Sequence, residues 1–424
     1  MFACLSASSC KDLPHDGTRG LFVTVDRSAC PDVRVDSLMV GVYTQDGRLV
    51  KERRYSGGER YSPILYTVDG GCYTVVAVAN WAEGDAPRPG MSRHALMQWL
   101  TRSAASASAV PLSGTARACV SDGGVEELTV SLGRDVDPLP VMRLTATLPG
   151  AVMPPYGGAA RSAGRAVARR FVVEALFNGT GERVVRLDTV AYAAPGSTVA
   201  FDVPVDEGSY DLRLWSDCAD PETGLSPYYD ASDLRQVAMT LTPYQAGIDG
   251  RDAAYATAVG VSVTAGGASA ALRLERPLAR YRLVATDVDK YAAAGGMPPL
   301  SDLTVRVDYE GFFPSSFNVA TGKPNDAVEG LSYTCKPSAD GGQDGALTLA
   351  SDWIIAADAD NEISLTVSLL DAEGRTVSRT RRVRVPYRGG HTTTVAGSFL
   401  TAGSGSGGVG LDHCWDDDTF VVVF

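Results

Sequence analysis

The sequence predicts an all-β protein, antiparallel β-sandwich domains in tandem with one short helical insertion. Three observations carry this reading. Apolar runs of strand length, at residues 21–25, 38–43, 73–79, 171–177 and 363–370, are rich in β-branched and aromatic residues. They alternate partly with period two and are separated by Asp/Gly/Pro clusters, as strands are. A hairpin pattern recurs three times along the chain, and two proline-containing joints cut it into pieces of domain size.

The hairpins come first. Residues 40–43 meet Asp46-Gly47 and then 48–50; residues 172–177 meet Gly179-Thr180-Gly181 and then 183–185; residues 365–370 meet the turn 371–374 and then 375–377. Glycine supplies the positive φ that a tight hairpin turn demands. In the first two copies a further strand follows. Gly71 precedes Tyr73 and a strand ending near Trp81, and Gly208 precedes Tyr210 and a strand ending near Trp215. Large aromatics at matching places are read as core anchors of a sandwich and not as a sugar platform.

The joints come next. Residues 127–134 run through Pro138 and Pro140 into 142–146, and residues 270–278 run through Pro277 into 280–285. Each reads as the last strand of one domain followed by the first strand of the next. The expected divisions are 1–19 as a signal remnant and tether, 20–137, 138–277 and 278–401 as three sandwich modules, and 402–424 as a Gly/Ser-rich linker with a C-terminal strand. Two segments interrupt the β pattern. Residues 92–107 carry Ala95, Leu96, Trp99 and Leu100 at helical spacing behind Ser92, a residue able to cap, and predict a short helix on the first module. Residues 150–164 form a Pro/Gly/Ala-rich loop expected at the surface. The apolar terminal run 420–424 needs an edge to pair with, in its own domain or in another subunit.

Composition limits the function. Of 424 residues 45% are hydrophobic, which excludes a disordered polyelectrolyte, and 38 Lys+Arg against 50 Asp+Glu leave a net charge of −12. With a pI near 4.9 and no Lys/Arg-rich patch standing out, nucleic acid and an anionic membrane surface are excluded as main partners. No apolar stretch reaches the roughly 18–20 residues that span a bilayer. His15, His94, His391 and His413 lie far apart and outside any catalytic motif. The run 412–418 reads as a solvated acidic turn, since it lacks the spacing of a calcium loop. No Walker loop is present, and no pair of carboxylates stands out from the many acids. The sequence therefore predicts no enzyme, no cofactor and no metal.

The N-terminus, Met1 to Cys10, passes from an apolar stub into small residues before a cysteine, followed by Lys11, Asp12 and Pro14. It resembles the end of a bacterial lipoprotein signal. Leu5 lies five positions before Cys10 in place of the usual three, and no basic region precedes it. Cys10 is the candidate for acylation and Cys4 the second. Cys30, Cys72, Cys119, Cys218, Cys335 and Cys414 then remain, with no C-x-x-C among them. Cys30 with Cys72 is the pair to test for a disulfide, and buried free thiols are the alternative.

Several stretches carry a family likeness. Arg276-Pro277-Leu278-Ala279-Arg280 resembles the R-P-x-A-[KR] joint of fimbrial anchor and tip proteins of Bacteroidales. Arg251-Asp252-Ala253-Ala254-Tyr255 resembles their D-A-F-Y stretch, with alanine in place of phenylalanine. Residues 309–319, Pro386-Tyr387 and 391–401 resemble segments of related Bacteroidales lipoproteins. The likeness covers most of the chain after about residue 250 and, more loosely, its start. It implies transthyretin-like, immunoglobulin-like sandwiches in a surface-exposed lipoprotein held in the outer membrane at Cys10. It also implies a fimbrial anchor or accessory subunit that meets other fimbrial subunits by β-strand addition, with a host or bacterial surface ligand as a further partner. Two readings compete with this one. A surface glycan-binding lipoprotein would stack sugars on Tyr228 and Tyr229 or on Phe312 and Phe313, and a glycoside-acting or metal-dependent enzyme would require a cleft that gathers carboxylates or histidines.

Overall fold

The structure, a computed structural model, describes residues 19–45, 47–57, 59–106, 111–121, 124–135, 139–150, 166–178, 181–338, 347–402, 415–416 and 419–423. Strands dominate. The first group is β1 (Gly20–Asp26), β2 (Ser37–Thr44), β3 (Leu49–Ser56), β4 (Ile64–Thr67), β5 (Gly71–Ala79), the helix α1 (Arg93–Ser106), β6 (Leu112–Val120) and β7 (Val125–Ser131). The second is β8 (Val141–Thr147), β9 (Val167–Phe177), β10 (Arg183–Ala193), β11 (Thr198–Pro204), β12 (Gly208–Cys218), β13 (Tyr229–Asp230), β14 (Val237–Met239), β15 (Ala253–Val263) and β16 (Ala268–Arg273). The third opens with β17 (Leu278–Ala285), a short helix α2 (Val288–Ala293), β18 (Thr304–Glu310), β19 (Phe312–Asn318), β20 (Lys323–Glu329) and β21 (Ser332–Cys335). It closes with β22 (Leu347–Ile355), β23 (Asn361–Leu370), β24 (Thr376–Tyr387), β25 (Thr392–Gly397), β26 (Trp415–Asp416) and β27 (Thr419–Val423). The three hairpins legible in the sequence are β2–β3, β9–β10 and β23–β24, all antiparallel.

The chain divides into two compact units. The first runs to Met142 and includes Pro204–Ser209 and Ser262–Ala268. In it a sheet of order β4-β1-β7 and a sheet of order β3-β2-β5-β6 share one core. β2 and β5 are buried on both faces. Leu38, Val40 and Val42 of β2 and Val75, Ala77 and Ala79 of β5 join that core, whereas the alternate residues Met39, Tyr43, Val76 and Val78 meet Leu96, Trp99 and Leu100 of α1. This is why both strands read as nearly unbroken apolar runs. Ser92 caps α1 as expected, its Oγ accepting from the Ala95 amide at 3.3 Å. Gly41 is needed beneath the helix, because a Cβ there would lie 2.6 Å from the Tyr43 hydroxyl.

The second unit comprises Arg143–Val203, Tyr210–Val261 and Ser269–Phe424. One sandwich in it pairs the sheet β10-β9-β12-β15 with the sheet β11-β8-β16, and Phe171 of β9 meets Phe201 of β11 at 5.1 Å between ring centres. Another pairs β22-β17-β25-β27-β26 with β21-β18-β23-β24 around Tyr281, Leu283, Val305, Val307, Leu365, Val367 and Val395. A further sheet, β13-β14-β19-β20, joins segments distant in sequence, since β14 pairs with β19 at Val237↔Phe317 and Ala238↔Ser316. The fully buried Trp215 lies against Tyr229 and Phe317, at 5.5 and 6.2 Å between ring centres, so its expected role as a core anchor is met. Trp81 is half-buried and packs beside the α1 layer.

Candidate functional site

The arrangement most suited to engaging another molecule is built on β25. This strand, Thr-Thr-Thr-Val-Ala-Gly, is buried along its whole length. On one side it pairs in parallel with β17, from Arg280↔Thr392 to Ala285↔Gly397. On the other it pairs in parallel with β27, from Thr392↔Thr419 to Ala396↔Val423, and β26 folds back antiparallel on β27. The terminal strand thus finds its edge within the chain. Without it, β25 would present a row of unpaired backbone N–H and C=O groups.

The root of this tail is fastened. Asp287, buried, accepts from the amides of Leu400 at 3.2 Å and Thr401 at 2.7 Å and from the Thr401 hydroxyl at 2.8 Å. Ser378 donates to the Phe399 carbonyl at 2.6 Å. Residues 399–401 are therefore held to the second unit, and β27 meets β25 through main-chain hydrogen bonds. What meets β25 there is main chain, from Thr392↔Thr419 to Ala396↔Val423.

The motifs that carry the family likeness are structural. Arg276 of the joint donates to Asp252 at 2.8 Å, Arg169 also reaches Asp252 at 3.3 Å, and Tyr255 exchanges backbone bonds with Glu275 at 2.9 Å. The two stretches 251–255 and 276–280 are therefore halves of one joint. Residues 309–319 supply Tyr309 and Phe313 to the core and Phe317 to the Trp215 cluster. At the centre of the core Asp352, fully buried, accepts from Tyr244 at 2.5 Å, Tyr309 at 2.7 Å, the Trp353 amide at 2.8 Å and the Gly247 amide at 3.1 Å. The Tyr281 hydroxyl links Tyr309 to Tyr333, at 3.0 and 2.7 Å. Burial pushes the Asp352 carboxyl up, and the tyrosine donors and Arg251 pull against that shift. Arg251, itself buried, lies over the Tyr244 ring at 4.3 Å.

The other residues singled out from the sequence are placed as follows. Cys10 lies outside the described residues, as do His15, His413, most of the loop 150–164 and most of the linker 402–410. The disulfide is Cys72–Cys119, not Cys30–Cys72. β5 and β6 pair with Cys72 directly opposite Cys119, whereas Cys30 lies in the turn region between β1 and β2 as a free thiol. The four aromatics proposed as sugar platforms form no row. Tyr229 and Phe313 are buried, Tyr228 packs against the core, and only Phe312 stands out, 70% exposed. The strand pleat turns neighbours to opposite faces. The Tyr229 hydroxyl donates to the Arg251 carbonyl at 2.7 Å. His94 is buried in the first unit with neither ring nitrogen hydrogen-bonded, and burial lowers its pKa to about 4. The His391 Nδ1 lies 2.8 Å from the Gly389 carbonyl. Among the described residues no group of three or more His, Cys, Asp or Glu side chains could hold a metal ion, and no helix is long and apolar enough to cross a membrane. Positive charge is concentrated locally in this acidic chain. Six of the fourteen residues from Arg375 to Arg388 are arginine, and β24 presents four of them, Arg379, Arg381, Arg382 and Arg384, at the surface.

Comparison with known proteins adds the family. Residues 140–423 match the model of DUF6562, a family of unknown function. The chain belongs to this family. No curated protein matches it. Among solved structures it is similar to a candidate adhesin from Bacteroides thetaiotaomicron, at 12% identity over 58% of this chain and 82% of that one, TM-score 0.35. It is also similar to two proteins of Porphyromonas gingivalis. One is the fimbrial anchor protein Mfa2, at 15% identity over 57% and 83% of the two chains, TM-score 0.32. The other is the tip fimbrial protein Mfa3, at 12% identity over 58% and 81%, TM-score 0.32.

Proposed function

We propose that this chain is a non-catalytic cell-surface protein of adhesion or fimbrial assembly, held in the outer membrane through an acylated Cys10 and joined to other subunits by β-strand addition. The observation that carries the reading is the terminal strand β27, which lies beyond a Gly/Ser-rich stretch of the sequence and pairs with β25 in parallel. A strand delivered in this way can be exchanged for one from a neighbouring subunit, because the edge reads main-chain geometry first and side chains second. The three sandwich modules expected from the sequence, 20–137, 138–277 and 278–401, suit a structural role. The motifs fit a structural protein. The stretches 251–255 and 276–280 fasten a joint, and residues 309–319 supply Tyr309, Phe313 and Phe317 to a core.

The anchoring half of the proposal is tested on protein isolated from membranes of the native host, by intact mass and the N-terminal peptide. The expected result is a chain that begins at an acylated Cys10 and co-purifies with other surface subunits. A chain that keeps Met1 and carries no lipid would overturn it.

A further inference from the structure

The sheet β21-β18-β23-β24 turns one face to the core and the other to solvent, and the solvent face carries a charge opposite to that of the whole chain. β24 lies at its edge. Ser378, Thr380, Val383 and Val385 of β24 point inward and are buried, while Arg379, Arg381 and Arg384 are exposed on the alternate side. The alternation breaks once. Between Thr380↔Val367 and Val383↔Leu365 the register shifts, so that Arg381 and Arg382 together oppose Thr366. Arg382 has φ of 56°, in the left-handed region that residues other than glycine rarely adopt. The bulge turns two successive arginines to solvent where a regular strand would bury one. Strain of this kind persists where the surroundings enforce it and gathers at binding sites.

The acids nearby neutralise only part of this charge. Arg306 pairs with Asp308 at 2.8 Å, Arg384 with Glu362 at 3.6 Å, and Arg375 with Asp371 at 2.7 Å. Glu310 accepts from the Thr366 hydroxyl at 2.5 Å and the Arg382 amide at 3.4 Å. The Arg379 Nε donates to the Ser368 hydroxyl at 3.1 Å. No described carboxylate forms an ion pair with the side chain of Arg379, Arg381 or Arg382. Arg306, Arg379 and Arg381 line an open groove of about 550 Å³ together with Thr366, Ser368 and Thr376, and Asp308, Glu310 and Leu370 also border it.

A groove of this composition lacks the aromatic and aliphatic centre from which protein–protein interfaces draw most of their affinity. It fits a ligand that is polar along its whole length and carries anionic groups at intervals. Guanidinium forks take a carboxylate or sulfate in two parallel hydrogen bonds, Arg379 and Arg381 repeat about 7 Å apart along the strand, and serine and threonine hydroxyls both donate and accept. We propose that this face binds an acidic polysaccharide, one bearing carboxylate or sulfate groups. The site is distinct from the β25 edge, and the proposal stands whether or not strand addition occurs there.

The test is calorimetric titration of the full chain with polygalacturonate and, separately, with dextran sulfate, with neutral dextran and duplex DNA as comparisons. The expected result is binding of at least one of the two acidic polysaccharides and none of neutral dextran, weakened about tenfold or more between roughly 50 and 300 mM NaCl. R379Q/R381Q should weaken that binding by about tenfold or more without moving the melting curve, since it removes two exposed guanidinium forks. R235Q, at an exposed arginine on another surface, should bind as the parent does. If the double variant melts differently, the single variant R381Q decides, with a loss of the same sign expected. The proposal is overturned by absence of binding to both acidic polymers, by equal binding of neutral dextran, by binding that R379Q/R381Q and R381Q leave unchanged, or by binding of DNA alone.

Discussion

Asp352→Ala is expected to destabilise the second unit by about 3–5 kcal/mol, read as a lower midpoint in denaturant unfolding followed by circular dichroism. The size follows from what the carboxylate holds. Four donors converge on it, the Tyr244 and Tyr309 hydroxyls and the Gly247 and Trp353 amides, and Asp352 is fully buried. Alanine would leave all four without their acceptor in a place closed to water, and each buried unsatisfied group costs about 1–3 kcal/mol before the surroundings relax. It would also loosen the support of Tyr244, whose ring the buried Arg251 guanidinium covers. Tyr309→Phe removes one donor and keeps the ring, so its loss should be nearer 1 kcal/mol. Equal stability of the parent and Asp352→Ala would mean that the network is not closed as described.

Trp215→Ala is expected to cost a similar amount, about 3–5 kcal/mol, and to leave a cavity that Tyr229 and Phe317 cannot fill. The indole is fully buried and its Nε1 donates to Asp217 at 2.9 Å, so the substitution removes both packing and a buried hydrogen bond. Asp217 would keep its two bonds from Arg170, at 3.1 and 2.7 Å, which bounds the electrostatic part of the loss. The same variant separates two roles for this residue. A core anchor loses stability on truncation, whereas a sugar-stacking platform would keep its midpoint and lose only binding.

Those two residues also show what was legible in the sequence. The core role of Trp215 could be read because Gly208, Tyr210 and Trp215 repeat the order of Gly71, Tyr73 and Trp81, a pattern set by local chain geometry. The hairpins were legible for the same reason, glycine turns between alternating strands, and α1 because Ser92 and the spacing of Leu96, Trp99 and Leu100 act within a few residues of each other. What depends on register across the sheet was not legible. The partner of Cys72 is decided by which residue of β6 lies opposite it, and the Asp352 network gathers side chains from residues 244 to 352. The arginines of β24 were visible as a local run, but a net charge of −12 averaged over 424 residues conceals them, and only the bulge reveals that Arg381 and Arg382 face the same way. A second short helix, α2, also went unread, since six residues hold too little periodicity to stand out.

In the proposed function β25 is a strand-accepting edge that β27 occupies within the chain. It is tested most directly with a chain ending at Thr401 and a fluorescent peptide of residues 415–424, followed by anisotropy. The account predicts that the shortened chain takes up one peptide per molecule, that the full chain takes up almost none because its edge is filled, and that a peptide with proline at Val421 and Val422 fails because proline has no N–H to donate. A shortened chain with unchanged circular dichroism that ignores the peptide, or a full chain that binds it equally well, would contradict the account.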